Sequence, residues 1–450
     1  MTRRTAKAPP RTITAREAAT LVRSGMWLDY GGCLNQPDAF DAALGERVGE
    51  LTDVKVRGCL STRPRAFLEA DPAGAHTTAY NWHFSAYDRT KSDAGRCFYV
   101  PLNLGEVPDY YRRFIEPVDI FVVKARPMDA DGWFNFGPTN LWHNAIAERA
   151  RLVIIEVTPD LPYVFPRENG LHVSEVDFII PGETGPLSEL PRTPPGDLDR
   201  RVAALVAGEV EDGATLQVGI GAMPNAVCSL LKEAGVRDIG VHTEMLTDGV
   251  IDLYRAGVVT GARKRLDPGR IGFTFALGSK SMYEALDNNP DMACLPVDYT
   301  NTPHIIMQND RVVAINSTTQ IDLQGQAASE SDGRRHISGT GGQLQFVRGA
   351  YASQGGKSFI CLSSAYERRG VRRSRIVLDL THGNIVTTPR SDMMYVVTEY
   401  GIANLKGRSV PERARMLIEL AHPDFREDLE RRAFDARLFP RHTPAAFHVP

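Results

Sequence analysis

Two glutamates follow short apolar segments, where an α/β protein can place reactive groups. Glu244 lies in Val241–Gly249 and Glu399 lies in Val397–Gly401. In open α/β sheets ligands collect beyond the carboxyl ends of the strands, and a carboxylate there acts as a general base, a metal ligand or a nucleophile. A solvated turn carboxylate is the more common alternative, and the spacing of the two glutamates does not by itself establish a paired site. We expect His242 on the strand face opposite Glu244, in a structural role.

A glycine-rich turn, Gly219-Ile220-Gly221, follows an apolar segment and precedes a helical pattern with Pro224 in its first turn. Backbone amides that no side chain shields can bind an anion there, aided by the helix dipole. The pattern is half of a dinucleotide fingerprint. However, Pro224 occupies the third glycine position, and no convincing ribose-binding acid ends a strand about 20 residues later. A tight turn without a ligand is the alternative.

Two further glycine clusters could contact an anion. Gly339–Gln343 can form a nest of amides for an oxyanion or phosphate, with a flexible loop as the alternative. Gly355–Ser358 resembles the end of a P-loop, but Tyr351 stands where a P-loop requires glycine, so ATP binding by that route is rejected. Lys357 remains a candidate phosphate contact, although a surface lysine without a ligand is the more common interpretation. Asn316, just after an apolar segment, either caps the next element or orients a carbonyl.

The elements that position these residues alternate between short apolar strands and amphipathic helices. Near-continuous apolar runs at Ile120–Val123 and Leu152–Ile155 are typical of strands buried on both faces of a parallel sheet. A Pro/Gly-rich stretch at 181–196 interrupts the pattern, which then restarts. We therefore predict two similar open α/β domains, 1–190 and 191–450, with mostly parallel sheets and a cleft between them.

Composition excludes several function classes. The 450 residues carry a net charge of -3, which argues against nucleic-acid binding, and a mean hydropathy of -0.25 without a long apolar stretch argues against a membrane protein. Six scattered cysteines form no CxxC pair, so we expect no metal site and reduced thiols in the cytoplasm. The basic segment Met1–Lys7 lacks a following apolar core, which argues against a secretory signal and leaves a transit peptide open.

Several of these segments together resemble the acetyl-CoA hydrolase/transferase family, over nearly the whole chain. The residues that carry the resemblance are Gly219-Ile220-Gly221, His242-Thr243-Glu244-Met245, Ala276-Leu277-Gly278-Ser279, Asn316, Gly339-Thr340-Gly341-Gly342-Gln343, Thr398-Glu399-Tyr400-Gly401 and Asn404-Leu405-Lys406-Gly407. In the first half the match is looser and runs from Gly95-Arg96 through Tyr99-Val100-Pro101 to Glu106-Val107-Pro108. The resemblance implies two CoA-transferase-type α/β domains with the active site between them.

The resemblance also implies roles for individual residues. Glu244 aligns with the nucleophilic glutamate, and Asn316 and Glu399 match polar active-site positions. The residues implied to contact coenzyme A or the reacting acyl group are Gly219, Ile220, Gly221, Ala222, Met223, Gly341, Gly342 and Lys357. The amides near Ile220 and Gly342 are the candidate oxyanion donors. The walls of the acceptor pocket are expected at Cys59–Ser61 and Tyr80–Ser85, whose aromatic residues could equally belong to the core.

The expected activity is therefore CoA transfer between short-chain carboxylic acids through a glutamyl-CoA thioester. We favour a butyrate-like or 4-hydroxybutyrate-like donor with an acetate-like partner. An acyl-CoA hydrolase, an itaconate or succinate CoA-transferase, a dinucleotide-dependent oxidoreductase and a non-catalytic CoA-binding protein remain alternatives. The resemblance implies no permanently bound cofactor, acyl-CoA and a carboxylate as small-molecule partners, and a cytoplasmic homodimer.

Overall fold

The computed structural model describes residues 9–440, so the basic segment Met1–Lys7 lies outside the described residues. In the first half the strands are β1 (Arg11–Thr12), β2 (Trp27–Tyr30), β3 (Val54–Gly58), β4 (Thr77–Asn81), β5 (Cys97–Tyr99), β6 (Ile120–Ala125), β7 (Trp133–Asn135), β8 (Leu152–Val157), β9 (Gly170–His172) and β10 (Phe178–Pro181). The helices are α1 (Ala15–Thr20), α2 (Ala39–Arg47), α3 (Ala66–Glu69), α4 (Ala86–Asp93), α5 (Val107–Arg113) and α6 (His143–Arg149).

The second half holds the remaining elements. Its strands are β11 (Thr215–Val218), β12 (Gly240–Leu246), β13 (Ile271–Ala276), β14 (Met292–Cys294), β15 (Val312–Ser317), β16 (Gln320–Asp322), β17 (Ala327–Ala328), β18 (Ser331–Asp332), β19 (Arg335–His336), β20 (Lys357–Cys361), β21 (Ala365–Arg368), β22 (Val371–Ser374), β23 (Ile376–Val377), β24 (Tyr395–Thr398) and β25 (Gly401–Asn404). Its helices are α7 (Asp197–Ala207), α8 (Ala222–Glu233), α9 (Asp248–Arg255), α10 (Lys280–Leu286), α11 (Val297–Thr300), α12 (Pro303–Ile306), α13 (Gln343–Ala352), α14 (Val410–Leu420) and α15 (Pro423–Asp435).

Each half is organised around one large sheet. The first sheet has the order β1-β10-β8-β6-β2-β3-β4-β5 and is parallel throughout. The second has the order β14-β13-β12-β11-β15-β20-β24-β25 and is parallel except where β25 pairs with β24. The predicted α/β class with mostly parallel sheets is therefore confirmed.

The two sheets repeat one connectivity. The first sheet, read from its other edge, runs β5-β4-β3-β2-β6-β8-β10, and the second runs β14-β13-β12-β11-β15-β20-β24. In both sheets, four strands follow one another in chain order towards one edge, and the next three follow one another towards the opposite edge. The strand order therefore reverses between β2 and β6 in the first half and between β11 and β15 in the second. Such switch points open a crevice at the carboxyl edge of the sheet.

The two halves differ at the helix that follows the first strand of each repeat. In the first half, the side chain of Glu156 at the end of β8 accepts hydrogen bonds from the amides of Asp38, Ala39 and Phe40 at 2.9, 3.2 and 3.0 Å. An internal carboxylate thus occupies the electropositive start of α2. In the second half, the equivalent helix α8 begins after the glycine turn at 219–221, and the described residues place no carboxylate on its first amides.

Local sequence signals explain several boundaries. Two capping-box patterns in the sequence, at Thr14 and Glu17 and at Ser409 and Glu412, predict helix starts, and these boxes form at the beginning of α1 and α14. The fully buried β6 and the mostly buried β8 agree with the apolar runs in the sequence. One strand is shorter than expected: the pattern Ile376–Leu380 predicts five residues, but β23 has two, because its ladder with β16 has only two pairs.

The connector at 182–196 contains no helix or strand, and it is bound to both halves. Arg63 donates to Ser188 Oγ at 3.3 Å and also to the Pro186 carbonyl, and Arg192 forms ion pairs with Asp248 and Asp252 at 3.0 and 2.8 Å. The largest hydrophobic core cluster includes residues of both halves. The connector and this shared core join the two halves, and the division at 190/191 stays a prediction.

Residues 9–440 contain no helix that is long and apolar enough to cross a membrane. They also contain no group of three His, Cys, Asp or Glu side chains arranged to hold a metal ion. The six cysteines all lie in this range, where each is buried with a free thiol.

Candidate active site at the interface of the two halves

Glu244 lies on β12, one strand from the switch point of the second sheet. The sequence suggests that the strand ends at Glu244, but β12 continues through Leu246, because Met245 and Leu246 pair with Phe275 and Ala276 of β13. The side chain is partly buried. Its Oε2 accepts a hydrogen bond of 2.6 Å from Asn301 Nδ2, and the carboxylate also accepts one from the Gly342 amide.

The protonation of Glu244 follows from this environment. Burial raises the pKa of the carboxyl from 4.5 to about 7, although the bonds from Asn301 and Gly342 act in the opposite direction. Near neutral pH the group therefore exists in both forms. A carboxylate that is poorly solvated and can still ionise at pH 7 is suited to nucleophilic or general-base chemistry.

Asn301 is a residue of the candidate site that the sequence did not predict. It is fully buried, follows α11, and accepts a hydrogen bond of 3.0 Å from the Thr300 hydroxyl on its Oδ1. Because this bond occupies the carbonyl end of the amide, the Nδ2 end is directed to Glu244. The sequence offered no motif for it, since Asn301 lies 57 residues from Glu244 and only the folded sheet brings them together.

The predicted placement of His242 is wrong. Residues two apart on a strand point to the same face, so His242 and Glu244 share one side of β12 and both reach the end of α11. His242 Nε2 bonds to the Thr300 carbonyl at 2.8 Å, and burial lowers its pKa to about 4. Its role is nevertheless structural, because it holds the segment that carries Asn301.

The loop at 339–343 is docked on the first half of the chain. The Tyr99 hydroxyl accepts from the Thr340 amide at 2.9 Å, and the Gly341 carbonyl accepts from the Leu104 amide at 3.1 Å. This docking fixes the amide of Gly342 against Glu244. A Cβ on Gly342 would lie 2.2 Å from Glu244 Oε2, so only glycine allows so close an approach.

The glycine turn at 219–221 follows β11, the strand that pairs with β12. The Gly219 amide bonds to the Ile315 carbonyl at 3.0 Å, and Gly221 has a φ of +123°, which favours glycine. Ile220 is 53% exposed. Within residues 9–440 the amides of Ile220 and Gly221 make no hydrogen bond. These two amides, together with Ala222 and Met223 in the first turn of α8, are free to meet an anion.

Two other predicted residues are placed farther from the carboxylate. Asn316 lies at the switch point and is bound to Gln217 across β11 and β15, with Nδ2 donating to Gln217 Oε1 at 3.0 Å. Glu399 follows β24 and accepts from the Ser364 amide and hydroxyl at 2.9 and 2.6 Å. Because β24 is four strands from β12, Glu399 starts about 19 Å away in the sheet, and the two glutamates do not form a carboxylate pair.

Lys357 is not brought to this site. It is the first residue of β20, at the amino edge of the sheet, whereas the other candidate residues lie towards the carboxyl edge. Its Nζ bonds to Glu209 Oε2 at 2.9 Å and lies 3.8 Å from Glu211. Lys357 is thus part of a partly buried ion-pair cluster at the amino edge of the sheet, the edge opposite the candidate site.

Comparison with known proteins places this geometry in context. The model of the acetyl-CoA hydrolase/transferase N-terminal domain matches residues 2–188, and that of the C-terminal domain matches residues 278–433. The butyryl-CoA:acetate CoA-transferase of Anaerostipes caccae is 43% identical over 95% of this chain and 97% of its own. The 4-hydroxybutyrate coenzyme A transferase of Clostridium kluyveri is 43% identical over 76% of this chain and 78% of its own.

The chain is also similar to solved structures over most of its length. RipA from Yersinia pestis superposes with a TM-score of 0.86 at 39% identity, covering 95% of this chain and 98% of its own. A 4-hydroxybutyrate CoA-transferase from Porphyromonas gingivalis superposes with a TM-score of 0.76 at 32% identity, with the same coverage. The likeness extends over both halves of the chain and so includes the interface at which Glu244 lies.

Proposed function

Because the chain belongs to the acetyl-CoA hydrolase/transferase family, we propose that it is an acyl-CoA:carboxylate CoA-transferase in which Glu244 is the nucleophile. The observation that carries the mechanism is the hydrogen bond from Asn301 to Glu244 Oε2, made where the two halves meet. It leaves Oε1 to attack, and it holds the oxygen on which charge later develops. Burial keeps water from solvating the carboxylate, which preserves its nucleophilicity.

The first half-reaction begins at the acyl-CoA thioester. Glu244 Oε1 attacks the thioester carbonyl, and a tetrahedral oxyanion forms on the acyl oxygen. When it collapses, the C–S bond breaks, CoA leaves as a thiolate, and a mixed anhydride joins the acyl group to Glu244. The free amides of Ile220 and Gly221 are suited to bind the oxyanion.

The second step uses the donors on the other glutamate oxygen. The CoA thiolate attacks the side-chain carbonyl carbon of Glu244, so the negative charge moves onto Oε2. Asn301 Nδ2 and the Gly342 amide already point at this carboxylate. Collapse breaks the anhydride C–O bond and releases the first carboxylate, which leaves a glutamyl-CoA thioester. An acceptor carboxylate then reverses both steps, so the kinetics should be ping-pong.

We propose acids of short chain as substrates, with a butyrate-like or 4-hydroxybutyrate-like donor and an acetate-like partner. The printed activities of the relatives from Anaerostipes caccae and Clostridium kluyveri support this choice. The segments 59–61 and 80–85 of the first half approach the loop at 338–341, where Phe84 donates to the Ser338 carbonyl at 3.1 Å. They are the proposed walls of the acceptor pocket.

The remaining roles are proposed as follows. The backbone at 219–223 and 341–342 contacts coenzyme A or the reacting acyl group. Asn316 and Glu399 support the carboxyl edge of the sheet through Gln217 and Ser364. We further propose a cytoplasmic homodimer, which analytical ultracentrifugation and cell fractionation would test.

Trapping the intermediate tests the function directly. The protein is incubated with butyryl-CoA, treated with borohydride or hydroxylamine, digested and mapped by mass spectrometry. We expect modification of Glu244, none in Glu244→Gln, and acyl exchange that requires acetate. An adduct on another residue would refute the mechanism. CoA release at an equal rate without any acceptor acid would show a hydrolase instead.

A further inference from the structure

His83 is a histidine of the first half that the mechanism above does not use. Three backbone hydrogen bonds hold its segment in place: Trp82 N–H to the Gly58 carbonyl at 3.0 Å, Leu60 N–H to the His83 carbonyl at 3.0 Å, and Phe84 N–H to the Ser338 carbonyl at 3.1 Å. The segment is therefore fixed between the end of β3 and the loop that carries Gly341 and Gly342. The position of the imidazole follows from the docking of the two halves.

The imidazole and the Glu244 carboxylate lie on the same side of Gly341. If Gly341 carried a Cβ, the nearest atoms to that carbon would be Glu244 Oε1 at 3.6 Å, His83 Cε1 at 3.7 Å and His83 Nδ1 at 3.8 Å. These are ordinary van der Waals distances. The attacking oxygen of Glu244 and the ring of His83 therefore lie on the same side of Gly341, where the glycine has no side chain to separate them.

The imidazole is also available for a hydrogen bond. Within residues 9–440 neither ring nitrogen has a hydrogen-bond partner, while the side chain is only partly buried. Burial lowers the pKa of His83 to about 4, and His336 and Arg89 act in the same direction. The ring is thus neutral at physiological pH, with one N–H group to donate.

We propose that His83 is a further catalytic residue that donates a hydrogen bond from its neutral imidazole to the acyl oxygen when Glu244 attacks the thioester. This inference rests on the proposed function. Asn301 and Gly342 serve the oxygen of Glu244 itself, so the acyl oxygen needs other donors. His83 would supply this donor from the first half of the chain, in addition to the amides of the turn at 219–221 in the second half.

The test measures the first half-reaction separately. Butyryl-CoA is mixed with each variant without an acceptor acid, and the rate of Glu244 modification is followed by mass spectrometry. His83→Phe keeps a ring but no donor, and we expect the rate to fall about 10²-fold, the usual loss when one oxyanion donor is removed. His83→Gln keeps an N–H group, and we expect it to react at least tenfold faster than His83→Phe.

Controls separate the possible outcomes. The imidazole of His172 is hydrogen-bonded to Ser174 Oγ at 2.8 Å and takes no part in the proposed site. His172→Gln should therefore react at the wild-type rate. Unfolding temperatures are measured for every variant, and His83→Gln decides the question if His83→Phe is unstable. A wild-type rate in His83→Phe, or equal losses in both variants, would overturn the role of His83. Absence of any adduct on Glu244 in the wild type would instead overturn the proposed function.

Discussion

Replacing Glu244 by Gln should abolish activity and, at alkaline pH, make the protein more stable. The folded protein raises the pKa of this carboxyl from 4.5 to about 7, mainly by burial. A group whose pKa is raised on folding binds its proton more tightly in the folded than in the unfolded state. Its contribution to stability is complete below about pH 4.5 and is lost as the pH rises through about 7.

The size of the effect follows from the same two values. The rise of the pKa from 4.5 to about 7 corresponds to about 3 kcal/mol, which is an upper limit because the side chain is only partly buried. The wild-type protein loses this stability between about pH 4.5 and pH 7, while a glutamine does not titrate. Glu244→Gln should therefore gain up to about 3 kcal/mol relative to the wild type at pH 8, and little at pH 4.5.

Urea unfolding at pH 4.5, 6 and 8 provides the assay. Glu399→Gln is a matched control, because Glu399 accepts two hydrogen bonds from Ser364 and its replacement should bring no gain at pH 8. A Glu244→Gln protein that is equally or less stable than the wild type at pH 8 would refute the argument. A gain that is the same at every pH would also refute it, since titration of Glu244 would not be the cause.

Three further outcomes are expected. Asn301→Ala removes a donor to Glu244, so the acidic limb of the pH–rate profile should move to higher pH and kcat should fall about 10²-fold; an unchanged limb would contradict the assigned hydrogen bond. Gly342→Ala places a methyl group 2.2 Å from Glu244 Oε2 and should eliminate adduct formation, measured by mass spectrometry, and full activity would exclude this geometry. Lys357→Met should leave KM for acyl-CoA within about twofold, because the ammonium pairs with Glu209; a tenfold rise in initial-rate assays would show instead that it contacts the substrate.

Much of the fold was accessible from the sequence because local signals agreed with it. Apolar runs such as Ile120–Val123 predicted buried parallel strands, and capping boxes predicted where α1 and α14 begin. The short length of β23 was not predicted, because an apolar pattern does not show how many residues pair with a neighbouring strand. Pairing is a property of the assembled sheet, so it is the least visible feature in a single segment.

The site was only partly accessible for a related reason. Glu244 stood out through its motif, but Asn301 carries no motif and acts only because the sheet places it beside the carboxylate. Lys357 was misleading because its glycines precede a strand, whereas a P-loop follows one, so the lysine lies at the amino edge. His242 was misplaced because side chains two residues apart on a strand share a face.

The carboxylate that fills the start of α2 bears on how such a repeated architecture can arise. If both halves descend from one duplicated ancestor, the two copies of this helix start have since diverged. Glu156 closes one of them from within, through the three amides at 38–40. Under that assumption the closed copy would no longer compete for a charged ligand and would be free to diverge, while the open copy would keep the proposed site. Exchange of first halves between relatives would then alter the preferred acid and leave the nucleophile untouched.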